Sequence, residues 1–163
     1  VYNQYAIAKA LLEAGADRDA KDKASLSAFD HATQNGRTDI AQLLSGTEVT
    51  PELANSQFST LIRQSNVEDE LDKVKYWVNV GADVNLPIQR GRTALMYAAD
   101  QQKLKLVKVL LGLGADPKVA VKAGAQEYTA LTFAQAKADK LASSPGAKPI
   151  ADEIVAVLTE AMK

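Results

Sequence analysis

The apolar and polar positions of this chain follow a helical pattern with a narrow polar face. In residues 104–112 most side chains are apolar, whereas Lys105, Lys108 and Gly112 recur at i, i+3 and i+7 and lie on one stripe. A helix that is polar along one thin stripe is enclosed by neighbours on its other sides. The pattern therefore predicts an amphipathic helix inside a stack of helices.

The same polar stripe recurs along the chain at intervals of 33 residues, a period typical of stacked repeats. The earlier copies are Asp72, Lys75 and Asn79; Asp39, Gln42 and Gly46; and Ala6, Lys9 and Glu13. In this register Trp77 is equivalent to Leu11, Leu44 and Leu110. We therefore expect Trp77 and these leucines to be core residues and not a binding hot spot.

Three of these helices end in the tripeptide Gly-Ala-Asp. The copies begin at Gly15, Gly81 and Gly114, so they are separated by 66 and 33 residues. Glycine adopts the left-handed conformation that ends a helix without Cβ strain, and the Asp side chain can accept a hydrogen bond from the following turn. The tripeptide predicts a helix end and not a catalytic motif.

The copy of the tripeptide due at residues 48–50 is missing, although the 66-residue spacing shows no net change of length there. We expect Gly46 to end the helix early and Pro51 to begin the next one, because proline is favoured in the first turn of a helix. The surrounding segment 45–56 is predicted to form an irregular loop.

A shorter helix is predicted before each second helix. Segments that begin at Ser27, Thr93 and Thr129 open with good N-caps and carry alanine one turn later. In another unit the predicted apolar face consists of Phe58, Leu61, Ile62 and Ser65. The repeating unit is a short helix, a tight turn, a second helix and a glycine-capped loop.

This unit resembles the ankyrin repeat, whose pattern reads roughly G-x-T-P-L-H-x-A-A followed by a second helix and G-A-D-x-N. The best matching segment is RGRTALMYAADQQKLKLVKVLLGLGADPK at 90–118, and the resemblance covers nearly the whole chain. It implies an all-α solenoid of about 4.5 helix-turn-helix units with short loop fingers. The T-P-L-H histidine is replaced by Asp30, Met96 and Thr132, and the inter-helix glycine is kept only as Gly36. We expect divergent repeats that are less stable than a regular array.

The resemblance divides the chain, as one domain over 1–163, into a partial repeat at 1–21, repeats at 22–54, 55–87 and 88–122, and an expanded C-terminal capping repeat at 123–163. The last repeat gains three residues in its finger and about twelve between its helices, with a Ser-Ser-Pro-Gly loop at 143–146. Because the first unit is partial, we expect further repeat sequence before Val1 in the parent protein.

Composition narrows the choice of partner. The chain has 163 residues, 47% hydrophobic and 24% charged, which is ordinary for a globular domain. A net charge of −1 gives no electrostatic reason to expect nucleic acid or an anionic membrane as partner, and no apolar run is long enough for a membrane span. The lack of cysteine excludes disulfides and thiolate metal sites. It leaves the compartment open: we slightly favour the cytoplasm, and the absence of cysteine is also compatible with the periplasm or with secretion.

Candidate catalytic groups are few. The single histidine, His31, follows Asp30, but adjacent residues of a helix do not face each other. The carboxylates at 68–72 lack the central glycine of a calcium loop, and the segment GAKPIADE at 146–153 lacks the phosphate-loop spacing. We therefore expect no enzyme activity, no catalytic residue, no cofactor and no metal.

The resemblance implies that the loop fingers and the concave face of the first helices bind a protein partner. The positions that carry this role are Lys23, Ala24, Leu26, Gln34, Asn35, Gln89, Arg90, Arg92, Asp100, Gln101, Gln126 and Tyr128, bordered by His31 and Tyr97, which share one register. Each of them alone is explained at least as well as a solvated residue. Arg and Tyr cluster on adjacent fingers, however, so we expect the contact surface in the C-terminal half.

The interpretation that follows is a monomeric, non-enzymatic protein-interaction module. One alternative is a regulatory or scaffold domain of a longer enzyme or effector. Another is an inhibitor or immunity-type protein whose fingers plug the active site of a partner. Residue patterns alone do not identify the partner.

Overall fold

A computed structural model of the chain describes residues 4–35, 37–46, 50–123, 126–143 and 146–163, without the side chains of Thr33, Gln34, Thr38 and Ala123. It contains two compact units, Val1–Thr50 and Pro51–Lys163. The assignment of the whole chain to one domain, and its division into the five segments, stay predictions.

The first unit is built from three helices. They are α1 (Gln4–Glu13), α2 (Ala28–Gln34) and α3 (Thr38–Leu44). Helix α3 packs against both α1 and α2, and the loop before α2 closes with a single bridge between Lys21 and Ser27. The predicted order of a second helix, a finger and then a helix pair is therefore confirmed in this unit.

The second unit is built from three helix pairs and two hairpins. In order, its elements are α4 (Pro51–Ile62), a 3-10 turn (Val67–Asp69), α5 (Leu71–Asn79), β1 (Pro87–Gln89), β2 (Arg92–Thr93), α6 (Ala94–Asp100), α7 (Leu104–Gly112), β3 (Val121–Ala123), β4 (Gln126–Tyr128), α8 (Ala130–Lys140) and α9 (Lys148–Ala161). Strands β1 and β2 form one antiparallel hairpin, and β3 and β4 form another. The all-α class is confirmed, because strand structure in the described residues is confined to these fingers and one bridge.

Helix α6 lies at the centre of the second unit, against α4, α7 and α8. Its alanines Ala94, Ala98 and Ala99 are fully buried, so small side chains let the neighbouring helices approach closely. In α7, Leu106 and Leu110 are also fully buried, whereas the lysines of the polar stripe are exposed. The predicted stripe is confirmed for this helix.

Trp77 belongs to the core of the second unit, as its register predicted. It is 2% exposed and meets the ring of Tyr76 edge-on, with 4.9 Å between ring centroids. Aromatic pairs favour this T-shaped geometry because the positive edge of one ring faces the negative face of the other.

The Gly-Ala-Asp tripeptides end helices as predicted. Gly15, Gly81 and Gly114 have φ of 88°, 116° and 90°, in the left-handed region. The alanine that follows each glycine donates its N–H to a carbonyl five residues earlier at 2.8–2.9 Å, which satisfies an orphan acceptor at the helix end. Each Asp side chain accepts the N–H of the residue two positions later at 2.8–2.9 Å. The hydrogen bond of the alanine and that of the Asp side chain therefore both join residues at most five positions apart.

The N-caps compensate for the missing T-P-L-H histidine. Asp30 accepts hydrogen bonds from the backbone N–H and the hydroxyl of Ser27 at 2.8 and 2.7 Å. Thr132 and Thr129 form a capping box, in which each side chain accepts the N–H of the other residue. Two of the three residues that replace this histidine thus contact the N-cap residue of their helix, Asp30 through its carboxylate and Thr132 through its hydroxyl.

The loop at the missing tripeptide is partly as expected. Gly46 has φ of 68° and follows the end of α3, and α4 begins at Pro51, so both predicted boundaries are confirmed. Residues 51–56, however, are helical and not irregular as predicted, since proline at the first position of the helix is followed by the good helix formers Glu52, Leu53 and Ala54. Residues 47–49 lie outside the described residues.

Three expectations from the register are wrong. Leu11 is 56% exposed, because α1 packs against α3 on one side and contains no buried residue. Asp39 was placed on a polar stripe, yet it is buried, with Oδ1 3.6 Å from Nε of Arg37 and in the first turn of α3, where the helix dipole favours a carboxylate. Ser65 is exposed because α4 ends at Ile62, before the predicted apolar face is complete.

Candidate functional site

The first finger of the second unit is a tight hairpin with a strained tip. Gln89 pairs with Arg92, and the two residues between them, Arg90 and Gly91, have φ of 49° and 77°. Positive φ at both positions is the signature of the two-residue turn that matches the twist of a hairpin, and it favours Asn, Asp or Gly. Arginine at the first position is therefore unusual.

The second finger is longer and lies beside the first. Val121 pairs with Tyr128 and Lys122 with Glu127, and the ammonium of Lys122 lies 3.3 Å from the carboxylate of Glu127. A Cβ added to Gly91 would come within 3.0 Å of Cγ2 of Val121. The two hairpins thus touch, and the glycine is needed there both for its φ and for this close approach.

Arg92 connects the first finger to two helices. Its guanidinium carbon lies 4.3 Å from the centroid of the Phe133 ring in α8, a cation–π distance. Its Nη1 lies 3.3 Å from Oδ2 of Asp100 at the end of α6. Gln101 donates from Nε2 to the same carboxylate oxygen at 3.1 Å. The charge of this half-buried arginine is therefore held by groups of the protein itself.

The second finger adds aromatic surface to this arrangement. The rings of Tyr128 and Phe133 are tilted by 31° with 5.8 Å between centroids, and the hydroxyl of Tyr128 donates to the amide oxygen of Gln126. We call the six contacting residues the Arg92 cluster: Arg92, Asp100, Gln101, Gln126, Tyr128 and Phe133. Five of its six members were predicted from the sequence as partner-binding residues.

The other predicted residues of this unit flank the Arg92 cluster. Gln89 and Arg90 are exposed on the first finger, and Tyr97 is half-buried on α6. We call the Arg92 cluster with Gln89, Arg90 and Tyr97 the hairpin surface. It combines two arginines, three half-buried aromatic rings and several amides on elements that pack together.

In the first unit, the predicted residues are organised around the carboxylate of Asp22. One oxygen accepts the N–H groups of Ala24 and Leu26 at 2.8 and 3.0 Å, and the other lies 2.7 Å from Nε2 of His31. These hydrogen bonds, led by the one from His31, hold the pKa of Asp22 below its usual value. They fix the loop that carries Lys23.

The remaining predicted residues of the first unit are on or just after α2. Asn35 donates its side-chain amide to the carbonyl of His31 at 2.7 Å, so its role in the structure is to cap the helix end. The side chain of Gln34 lies outside the described residues. Lys23 is exposed, and Leu26 is half-buried.

A cavity of about 750 Å³ opens in the first unit between α1 and the α2–α3 pair. Leu11, Leu12, Ile40 and Leu44 contribute apolar surface to its lining, and Arg18 and Arg37 contribute cationic groups. The sequence prediction missed it, because Leu11 was expected to be covered. No pattern within the chain reports whether a neighbouring helix lies over that face.

Comparison with known proteins decides the family. The model of ankyrin repeats, in three copies, matches residues 61–143, which is just over half of the chain. The chain belongs to the ankyrin repeat family. An ankyrin repeat protein of Acanthamoeba polyphaga mimivirus is 43% identical over 54 residues, which is 33% of this chain and 7% of that protein. Most of that relative therefore has no counterpart in the match.

The ankyrin assignment gives a general activity. Ankyrin repeats are generally protein–protein interaction modules, and the family is typically non-enzymatic. The helical units described above belong to the all-α repeat solenoid class. Within this frame, the hairpin surface consists of the fingers and the first helices of consecutive ankyrin repeats.

Phe133 is the member of the hairpin surface that was not predicted from the sequence. It follows Thr129 by four residues, as Tyr97 follows Thr93 and His31 follows Ser27. The register that selected His31 and Tyr97 would have selected Phe133 as well, if it had been extended to the last repeat.

The described residues lack the features of two other kinds of site. In the ranges that the structure describes, no helix is long and apolar enough to cross a membrane. Within the same ranges, no three His, Asp or Glu side chains are grouped as a metal site requires. The expectation of a chain without a metal or cofactor stays a prediction.

Proposed function

We propose that this chain is a non-enzymatic protein-binding module and that its partner binds to the hairpin surface. The observation that carries the proposal is the Arg92 cluster, in which Arg92 and Tyr128 from two fingers meet Phe133 from a helix. Arginine and tyrosine are enriched among residues that dominate binding energy at protein interfaces. Half-buried rings offer a partner apolar area that is already ordered.

The order of the hairpin surface in the free protein also supports its role as the binding surface. The contacts of Arg92 with Asp100 and Phe133 tie the first finger to α6 and α8. Ordering mobile side chains and loops opposes association, so a surface that is ordered in the free protein loses less free energy on binding. The hairpin surface therefore suits a partner that binds without remodelling it.

The two lowered pKa values of the first unit have structural causes. Active sites commonly contain groups whose pKa is shifted by burial and by charged neighbours. The pKa values of Asp22 and Asp30 are lowered, and turn and cap hydrogen bonds from His31, Leu26 and Ser27 lead the causes. Both carboxylates stabilise the first unit, so their perturbation needs no catalytic explanation.

The prediction of further contacts in the first unit stands beside this proposal, and its residues are Lys23, Leu26, His31, Gln34 and Asn35. The monomeric state, the lack of a nucleic-acid or membrane partner, and the scaffold and inhibitor alternatives also stay predictions. None of them is needed for the experiment below.

Affinity capture with the intact chain as bait tests the proposal. The captured protein is identified by mass spectrometry, prepared separately and titrated by calorimetry against the wild type and Tyr128→Ala. We expect Tyr128→Ala to weaken binding at least tenfold, because truncating a central aromatic residue at an interface removes apolar contact area. The matched control is Lys105→Ala on the outer polar stripe of α7, which should bind like the wild type. Equal affinity of all three proteins would contradict the proposed surface.

A further inference from the structure

Arg90 combines backbone strain with a position at the tip of the first finger. Its φ of 49° lies in the left-handed region, which is uncommon for residues other than glycine, asparagine and aspartate. Residues in such conformations cluster at functional sites. Asparagine or glycine would fit this turn better, so the retained arginine points to a role for its side chain.

Within the described residues of the two hairpins, every charged side chain except that of Arg90 belongs to an ion pair. Arg92 is paired with Asp100, and Lys122 with Glu127. Among the residues that the structure describes, no carboxylate lies within ion-pair distance of the exposed guanidinium of Arg90. A guanidinium presents a planar fork of donors that matches a carboxylate with two parallel hydrogen bonds.

The tip lies next to the aromatic part of the hairpin surface. Gly91 approaches Val121, and Val121 pairs across the second hairpin with Tyr128, whose ring contacts Phe133. A short segment of a partner can therefore reach the tip and the rings together. The free charge complements an acidic group, and the rings complement an apolar one.

We infer that the protein partner presents an Asp or Glu side chain to Arg90, with an apolar or aromatic residue beside it that covers Tyr128 and Phe133. This inference rests on the proposed function and specifies the chemistry of the partner. It assigns to Arg90 a specificity role that does not depend on the contacts of Arg92 with Asp100 and Phe133.

Selection of random peptides displayed on phage, with the intact chain as bait, tests this chemistry. We expect the selected peptides to be enriched in Asp or Glu close to an aromatic or large apolar residue. A synthetic peptide of the most enriched sequence is then titrated by fluorescence anisotropy. Its affinity for the wild type should fall as the salt concentration rises, because an exposed ion pair is screened.

The substitution Arg90→Asn distinguishes an effect on binding affinity from an effect on stability. It removes the cation but fits the left-handed turn, so we expect about fivefold to tenfold weaker peptide binding and a Tm higher by about 1–3 °C. Gln102→Gly is the matched control, because Gln102 also has a left-handed φ, of 59°, in the turn between α6 and α7. It should leave the affinity unchanged, although it also removes the hydrogen bond from Gln102 Nε2 to the carbonyl of Ala99.

Two results would overturn the inference: selected peptides without enrichment of Asp or Glu, or equal affinity of the peptide for the wild type and Arg90→Asn. If such peptides still lose affinity for Tyr128→Ala, the proposed function stands and only the carboxylate contact fails. A library that yields no peptide sensitive to either substitution counts against both.

Discussion

The two units of this chain carry the same 33-residue pattern but bury it to very different extents. In the second unit α7 packs against α5, α6 and α9, and Leu106 and Leu110 are fully buried. The equivalent residues of α1, 99 positions earlier, are Ile7 and Leu11, which are 52% and 56% exposed. A repeat pattern therefore specifies which face of a helix can be buried, whereas burial itself depends on how many neighbours that helix has.

Truncating one leucine in each unit should give the largest effect on stability and tests this difference in burial. We expect Leu110→Ala to lower the free energy of unfolding by about 2–5 kcal/mol, because it leaves a cavity in a packed core. Leu11→Ala should cost less than about 1 kcal/mol, since most of its side chain is already in contact with water. Urea unfolding measures both values, with fluorescence of Trp77 reporting the second unit and circular dichroism the whole chain. Equal losses would show that α1 is covered in solution.

Glycine-to-alanine substitutions at the helix ends are expected to give equal effects in both units. Gly15 and Gly114 have nearly the same φ, 88° and 90°, and in both cases an added Cβ would meet nothing within 4 Å. Alanine at either position should cost about 1–2 kcal/mol, since the left-handed conformation is strained for any residue with a Cβ. Gly112→Ala is the control, because Gly112 is the last residue of α7 and has no positive φ.

Thermal unfolding of these three variants separates the backbone contribution from burial. A much smaller loss for Gly15→Ala than for Gly114→Ala would mean that the end of α1 is frayed in solution. A loss at Gly112 as large as that at Gly114 would contradict the assignment of the cost to left-handed strain.

The smallest expected effect is a loss of amide protection in the first unit as the pH falls. The pKa values of Asp22 and Asp30 are lowered below 3.8, by hydrogen bonds from His31 and from Ser27. A carboxyl group with a lowered pKa in the folded state stabilises that state above its unfolded pKa, and this stabilisation is lost as the pH falls through the folded pKa. We expect amide protection in 22–35 to decrease below about pH 4.

Hydrogen exchange measured by mass spectrometry follows this loss. Asp22→Asn should lower the protection of residues 22–26 at neutral pH and flatten its decrease with acid, because the amide keeps the shape of the carboxylate but not its charge. His31→Ala is the companion variant, since it removes the leading cause of the shift at Asp22. An unchanged acid profile in both variants would show that this carboxylate is not the group that titrates.

Local signals account for what was predicted correctly. The ends of α5 and α7, the caps at Ser27 and Thr129 and the start of α4 at Pro51 all depend on contacts within about five residues. Such contacts follow from residue type and spacing, so sequence reasoning found them. The candidate site was found in part for the same reason: five of the six residues of the Arg92 cluster occupy fixed positions of the repeat.

Contacts between distant residues account for the errors. The burial of Asp39 depends on how α3 packs, and the exposure of Leu11 depends on a face of α1 that no described helix covers. For Arg92 the structure adds contacts that the sequence did not indicate: its guanidinium is paired with Asp100 and stacked on Phe133, while its role in partner binding stays a prediction. Nothing in the residues around position 92 indicates a ring 41 positions away.

The sequence by itself determined the repeat, its helix ends and the positions from which fingers project, because these depend on local hydrogen bonds and on the periodicity of apolar residues. Only the tertiary structure decided which copies of the pattern are buried and which arginine of the first finger remains free. Arg90 and Arg92 are two positions apart, but the packing of α6 and α8 holds the charge of Arg92 and leaves that of Arg90 in solvent. Burial and ion pairing are properties of neighbours in space, and packing selects those neighbours.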